Sequence, residues 1–369
     1  MEKSMRRRDL LKAGAGGAVM AGSIAAPAIA QSNPQIKWRC TSSFPKTLDT
    51  IYGSGEAFTK AVTEATDGNF QIQLFAPGEI VPPFAALEAV QNATVECAHS
   101  GMLYYVGKDP TFAFGTTVPF GLNARQQNAW WSEGGGAELF ADFLKPYNVM
   151  ALAAGNTGAQ MGGFFRKEIN GLADMQGLKM RIAGLGGRVM QRLGVIPQQL
   201  APGDIYPALE RGTVDAVEWI GPYDDIRLGF HKVAPYYYGP GWFEGGALTH
   251  LFINQQAFES LPKAYREIVR LAATKANNTM LERYDARNMK ALKEMLGQGA
   301  QLRLFPKDVL DKAYEQSFAL YDELAAENPR FKTIYDSWSV FRRDIVGWFR
   351  INELVFDSIV ANAVAQGKK

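Results

Sequence analysis

The chain has 369 residues, 47% of them hydrophobic, with 39 Lys and Arg against 37 Asp and Glu for a formal net charge of +2. That is enough apolar side chain for a large core and fits two domains better than one. The near-neutral balance gives no footing for nucleic acid or an anionic membrane surface, and beyond the N-terminus no apolar run approaches the roughly 18 residues of a transmembrane helix.

The N-terminus reads as a targeting segment. "RRRDLLK" (6–12) is basic, a Gly/Ala-rich apolar stretch follows, and "APAIAQ" ends it with an A-x-A cleavage signal at Ala28 and Ala30. Arg7 and Arg8 ahead of Asp9-Leu10-Leu11 look like a twin-arginine export signal. Cleavage after Ala30 removes five basic and two acidic residues, so the +2 of the whole chain becomes −1 for the mature one. Cys40 and Cys97 sit in apolar strand-like runs, without CxxC or metal-ligand spacing. They read as buried free thiols, although an exported protein meets oxidising conditions.

Strand and helix signals then alternate. "IKWRCTS" (36–42), "NFQIQLFA" (69–76) and "TVECAHSG" (94–101) read as strands; 47–66 and 83–93 read as helices between them. This βαβαβ pattern predicts a parallel sheet. A second unit repeats the alternation through strands at 149–155, 162–167, 178–184 and 213–221, with helices at 187–194 and 203–212, the last opened by Asp204 as a cap. "AVQNATVECAHS" (89–100) and "ALERGTVDAVEW" (208–219) align without gaps, setting His99 opposite Glu218, as two similar lobes would. "ALTHLFIN" (247–254) reads as a strand returning to the first lobe, 263–296 as a long amphipathic helix and 300–305 as a short strand. A final helix over 330–365 carries Ile334, Trp338, Phe341, Ile345, Trp348, Val355 and Ile359 in a heptad-like stripe. The stripe packs on its own body or forms a subunit interface.

Enzyme signatures are mostly missing. The three histidines, His99, His231 and His250, form no HExxH, and no GxSxG occurs. "GLGGRVM" (184–190) follows a strand and opens a helix, but Val189 stands where a dinucleotide loop needs its third glycine. What remains is polar groups at strand ends, where open α/β sheets bind ligands. They are Gln160, Arg181, Glu218 with Trp219, and Glu244. Singly, Arg181 and Glu218 read as an ion pair and Trp219 as a core aromatic. Together they fit a small anion with a cation: Arg181 offers a fork matched to a carboxylate, and Glu218, Glu244 and the Gln160 amide oxygen are hard donors suited to Na⁺ or Ca²⁺.

"GMLYYVGKDPTFAFGTTVPFG" (101–121), "GNTGAQMGGFF" (155–165), "GLKMRIAG" (177–184), "GDIYPALERGTVDAVEWIGPYDD" (203–225) and "GWFEGGALTHLFIN" (241–254) carry a specific resemblance. The chain resembles the periplasmic solute-binding proteins of tripartite ATP-independent periplasmic (TRAP) transporters, the DctP family, and within it the 2-oxo acid (α-keto acid) binding branch. The resemblance spans nearly the whole mature chain. It implies an α/β, two-domain, type II-like periplasmic-binding-protein fold with hinge strands, a long domain-spanning helix and a C-terminal helical extension. Residues 1–30 would be the signal, 31–155 domain I, 156–245 domain II, 246–328 the return to domain I, and 329–369 a dimer contact.

By resemblance, Arg181 matches the arginine that binds the substrate carboxylate. Gln160, Glu218, Glu244 and the Trp219 carbonyl match positions that hold a cation bridging to it, and Tyr104 or Tyr105 lines the pocket. The expected protein is a periplasmic, non-catalytic receptor without an organic cofactor. It takes a 2-oxo acid such as pyruvate, or a 2-hydroxy acid such as lactate, and delivers it to the permease subunits. Glu218, Glu244 and a substrate carboxylate against Arg181 favour Ca²⁺ by charge, whereas the resemblance favours Na⁺. The competing readings are an exported cofactor-dependent enzyme, and the same receptor for a dicarboxylate or ectoine.

Overall fold

The structure is a computed structural model that describes residues 34–367. The expected export signal and its cleavage site lie outside the described residues.

Two sheets organise the chain. The first holds β1 (Ile36–Ser42), β2 (Phe70–Phe75), β3 (Cys97–Ser100), β4 (Val149–Asn156) and β10 (Leu248–Asn254), in the order β2-β1-β3-β10-β4. β1 pairs in parallel with both β2 and β3. Helices Ile51–Ala65 and Ala86–Gln91 make the crossovers, because parallel neighbours need a connection long enough to return to the same end. β10 runs antiparallel to β3 and β4.

The second sheet holds β5 (Gly163–Phe165), β6 (Lys179–Arg181), β7 (Ile196–Gln198), β8 (Ala216–Val217), β9 (Tyr236–Gly239) and β11 (Gln301–Leu304), in the order β11-β9-β5-β8-β6-β7. β6, β7 and β8 are parallel, and β5 is antiparallel to β8 and β9. β11 pairs with β9. It therefore belongs to the second sheet, not to the return into domain I expected over 246–328.

Three connections cross between the sheets: 157–162 from β4 to β5, 240–247 from β9 to β10, and helix Lys263–Gly297 from β10 to β11. At 35 residues that helix is about 52 Å long, enough to serve both cores. Its Tyr265, Val269, Ala272, Ala273 and Ala276 join Trp38, Phe58, Phe70 and Leu251 beneath the first sheet. Its Met280, Tyr284 and Met295 join Phe164, Val217 and Tyr237 of the second. Cys40 and Cys97 face each other in register on β1 and β3, both buried and free.

Three further expectations are corrected. The strand read over 213–221 shrinks to Ala216–Val217, so Glu218 stands just past its end. Asp204 occupies the cap position of helix Ile205–Glu210, but its side chain makes no capping hydrogen bond and its backbone is already helical. The final helix divides at Asn352 into Pro329–Ile351 and Glu353–Ala365.

Candidate functional site

The carboxyl ends of two adjacent parallel strands bring Arg181 and Glu218 together. β6 ends at Arg181, which pairs with Val217 of β8, and the Glu218 N–H donates to the Arg181 carbonyl at 3.1 Å. β8 is reached closely from its other side by Gly163. That residue has φ +99°, and a Cβ there would lie 2.2 Å from the Val217 carbonyl oxygen. Only glycine allows this approach one residue before Glu218.

Gln160 and Glu244 come from the two irregular crossing connections. These are bonded to each other: Gln160 N–H to Glu244 O at 3.3 Å, Gly241 N–H to Gln160 O at 2.8 Å, and Thr157 N–H to Ala247 O at 3.0 Å. A Cβ at Gly241 would meet the Gln160 carbonyl oxygen at 2.7 Å, so the two segments touch through a glycine.

These side chains wall a cavity of about 30 Å³. That exceeds the ~10–15 Å³ needed by one water and admits a ligand of a few heavy atoms. Arg181, Gln160, Glu218, Trp219 and Glu244 are all buried. The second-sheet side supplies Arg181, Glu218 and Trp219; the first-sheet side supplies Phe44, Tyr104, Thr116 and Thr249.

The hydrogen bonding is uneven. Arg181 Nη1 donates to the Glu218 carbonyl at 2.6 Å and to its carboxylate at 2.9 Å, and the guanidinium lies 5.2 Å from the Trp219 ring centroid. Arg181 Nε has no hydrogen-bond partner among the described residues. Gln160 Nε2 donates to Thr157 Oγ1 at 3.0 Å and to Glu244 Oε2 at 2.7 Å, leaving Oε1 equally without a partner. A buried donor and a buried acceptor are thus unsatisfied in one cavity, each a cost of about 1–3 kcal/mol.

Charge is uneven too. Burial pushes the Glu218 carboxyl up to about 7, against the pull of Arg181. Burial and then the charge of Glu218 hold Glu244 well above the usual carboxylate range. Two acids share one arginine, so one negative charge awaits a proton or a cation. Among the described residues no three His, Cys, Asp or Glu converge as a metal site. A cation here would take two carboxylates and neutral oxygens. The unpartnered Gln160 oxygen suits a hard, oxygen-preferring ion.

Tyr104 lines the cavity, and burial raises its hydroxyl pKa. Tyr105 does not line it. Its hydroxyl accepts from the Leu87 N–H at 3.2 Å and lies 3.3 Å from Ser100 Oγ, and its ring packs on Phe112 and Phe252. The offset follows from a tight helical turn over Met102–Tyr105, which aims neighbouring side chains in different directions. The Trp219 ring is a core aromatic whose Nε1 donates to Asp224 Oδ2 at 3.3 Å.

Sequence reasoning missed Thr157, Thr249 and Phe44. It also missed the layer behind them, where His99 Nε2 lies 3.1 Å from Ser54 Oγ and 3.4 Å from Thr249 Oγ1. Two threonines and a phenylalanine among ordinary apolar and loop residues carry no distinctive spacing. The faint repeat that paired His99 with Glu218 was the one available signal.

The family model for bacterial extracellular solute-binding proteins, family 7 (DctP), matches residues 41–328. The chain belongs to this family. A monocarboxylate 2-oxoacid-binding periplasmic protein of Nostoc is 45% identical over 97% of this chain and all of its own length. A TRAP transporter solute-binding protein of Bordetella bronchiseptica, solved as a mixed-occupancy dimer with copurified calcium and picolinate in its active site, shares 50% identity. It covers 91% of this chain and all of its own, with a TM-score of 0.90. One from Pseudoalteromonas atlantica, with sodium and pyruvate bound, shares 33% identity over 88% of this chain and 99% of its own, with a TM-score of 0.85. The protein is therefore a TRAP solute receptor with the two-domain binding-protein fold, and its cavity lies among the crossing connections between the two sheets.

Proposed function

We propose that this receptor binds a small 2-oxo or 2-hydroxy monocarboxylate together with one hard cation in the cavity between its sheets, and delivers it to TRAP permease subunits. The observation that carries this reading is the pair of complementary vacancies: the unpartnered Arg181 Nε donor and the unpartnered Gln160 Oε1 acceptor, both buried in the same cavity. Arg181 would grip the ligand carboxylate. Gln160 Oε1, Glu218, Glu244 and the Trp219 carbonyl would hold the cation, with Tyr104 forming a wall. When bound, the cation supplies positive charge to the ligand and to the two carboxylates.

Pyruvate and picolinate, held by the two relatives, share a carboxylate beside an acceptor atom, a keto oxygen or a ring nitrogen. That geometry chelates one cation, and a 2-oxo or 2-hydroxy acid has it too. Glu218, Glu244 and the ligand supply three negative charges against Arg181, which favours Ca²⁺ over Na⁺. The ligands of the two relatives, each with one carboxylate beside one acceptor atom, favour a monocarboxylate over a dicarboxylate or ectoine. The similar proteins that bind such ligands are solute-binding proteins, which supports a binder over an enzyme.

Residues 1–30 would direct export to the periplasm by the twin-arginine route, with cleavage after Ala30. The apolar surface of the C-terminal helices would form a homodimer.

Chelator-stripped receptor should gain about 5 °C in Tm from pyruvate or lactate at a hundredfold excess over Kd. The gain should need Ca²⁺ or Na⁺, and Arg181→Lys should lose it, since an ammonium does not reproduce the guanidinium fork. No shift with any 2-oxo or 2-hydroxy acid in either ion would sink the reading.

A further inference from the structure

We infer that Thr157 is a positioning residue for the cation site: its hydroxyl sets the orientation of the Gln160 amide and joins the two crossing connections, so that cation affinity depends on it. This rests on the functional reading above and goes beyond it.

The hydroxyl is fully used. Thr157 Oγ1 donates to the Gly158 carbonyl at 2.9 Å and accepts from Gln160 Nε2 at 3.0 Å and from the Ala247 N–H at 3.1 Å. One donor and two acceptor positions exhaust what a hydroxyl offers. Its two incoming bonds come from different connections, Gln160 on 157–162 and Ala247 on 240–247. Thr157 N–H donates in turn to the Ala247 carbonyl at 3.0 Å, so Thr157 and Ala247 are bonded twice across the two connections.

The consequence falls on Gln160. Both hydrogens of Nε2 are held by acceptors, Thr157 Oγ1 and Glu244 Oε2. With the cation bound and Glu244 ionised, turning the amide over would set Oε1 against that carboxylate and against a hydroxyl whose proton is spent on Gly158. The amide is therefore held with Oε1 left over, and that is the unpartnered buried oxygen lining the cavity. A hydroxyl that touches no cation thus decides where a neutral cation donor points, and partners of this kind typically change metal affinity by about 10–100-fold when removed.

The test uses the full receptor, stripped of ions by chelator, with calcium as probe. Ca²⁺ titrations in saturating pyruvate compare the wild type with Thr157→Val, which keeps the shape, and Thr157→Ser, which keeps the hydroxyl. Thr157→Val should raise the Ca²⁺ Kd about tenfold or more, and Thr157→Ser should restore it to within about threefold. In the Gln160→Ala background Thr157→Val should add little, because the effect runs through that amide. In the ion-free protein, amide exchange at Ala247 should be faster in Thr157→Val and return to normal in Thr157→Ser.

Wild-type Ca²⁺ affinity in a folded Thr157→Val overturns the inference alone, as does a Thr157→Ser as weak as Thr157→Val. If Thr157→Val fails to fold, Thr157→Ala replaces it; failure of both assigns Thr157 a structural role and overturns the inference. A wild type that binds no Ca²⁺ with pyruvate overturns the functional reading and this inference with it.

Discussion

His250 is the least compensated polar side chain of the core. It is fully buried, with neither ring nitrogen hydrogen-bonded among the described residues, and its ring centroid lies 4.6 Å from that of Trp131. Burial, helped by His99, lowers its pKa to about 3. The folded state therefore rejects a proton that the unfolded chain accepts near 6.5. Stability from this group is complete above about pH 6.5 and is lost as the pH falls toward 3. Glu218, raised to about 7, acts with the opposite sign over part of that range, so wild-type stability alone does not isolate the histidine. The difference between two proteins does. His250→Leu should gain on the wild type by about 1.4 kcal/mol per pH unit between pH 6 and 4.5, read from urea midpoints. A pH-independent difference would mean that His250 does not titrate on unfolding.

Among elements, the approach of the two lobes is marked by Asp49, which lies between β1 and helix Ile51–Ala65. Its carboxylate accepts from Tyr223 Oη at 3.1 Å and pairs with Arg227 at 3.1 Å and Arg287 at 3.4 Å. Tyr223 and Arg227 belong to helix Pro222–Leu228, just past β8, and Arg287 to the long helix. Asp49 is two residues from Ile51 and Tyr223 three from Ile220, both of which line the cavity. The cluster thus joins first-sheet and second-sheet elements beside the ligand site. Asp49 is half exposed, so solvent limits the pairs to about 0.5–1 kcal/mol. Asp49→Asn should speed release of pyruvate by about two- to fivefold with little change in association, followed by stopped-flow tryptophan fluorescence. Added salt should shrink the difference. An unchanged release rate would show that the cluster does not hold the lobes together.

Over the whole molecule, the apolar stripe of the C-terminal region has two fates. Ile334 and Trp338 are buried, and Phe341 and Ile345 pack against the main core. Past them, Trp348, Ile351 and Phe356 are 56%, 72% and 66% exposed, with Leu354, Val355 and Ile359 also exposed beside them. Large apolar side chains exposed this close together mark an interaction surface, and this supports the proposed homodimer. Ile351→Glu with Phe356→Ser should convert a dimer to a monomer in light scattering, while the monomer keeps its pyruvate affinity within about threefold. A wild type that is already monomeric at tens of micromolar would refute the dimer.

The sequence by itself determined the alternation of elements, and so the parallel β2-β1-β3 core, because hydrophobic period and connection length are local properties of the chain. It also determined which polar groups stand at strand ends: Arg181 and Glu218 were legible as charges placed where an apolar strand has no use for them. The tertiary structure alone decided the rest. β11 joined the second sheet because the long helix carried the chain across. Tyr104 rather than Tyr105 reached the cavity because a single tight turn separates their directions. Gln160 and Glu244 lie 84 residues apart, and nothing in their spacing shows that two crossing connections meet or that a threonine hydroxyl ties them. Those facts depend on distances between segments remote in sequence, which only packing fixes.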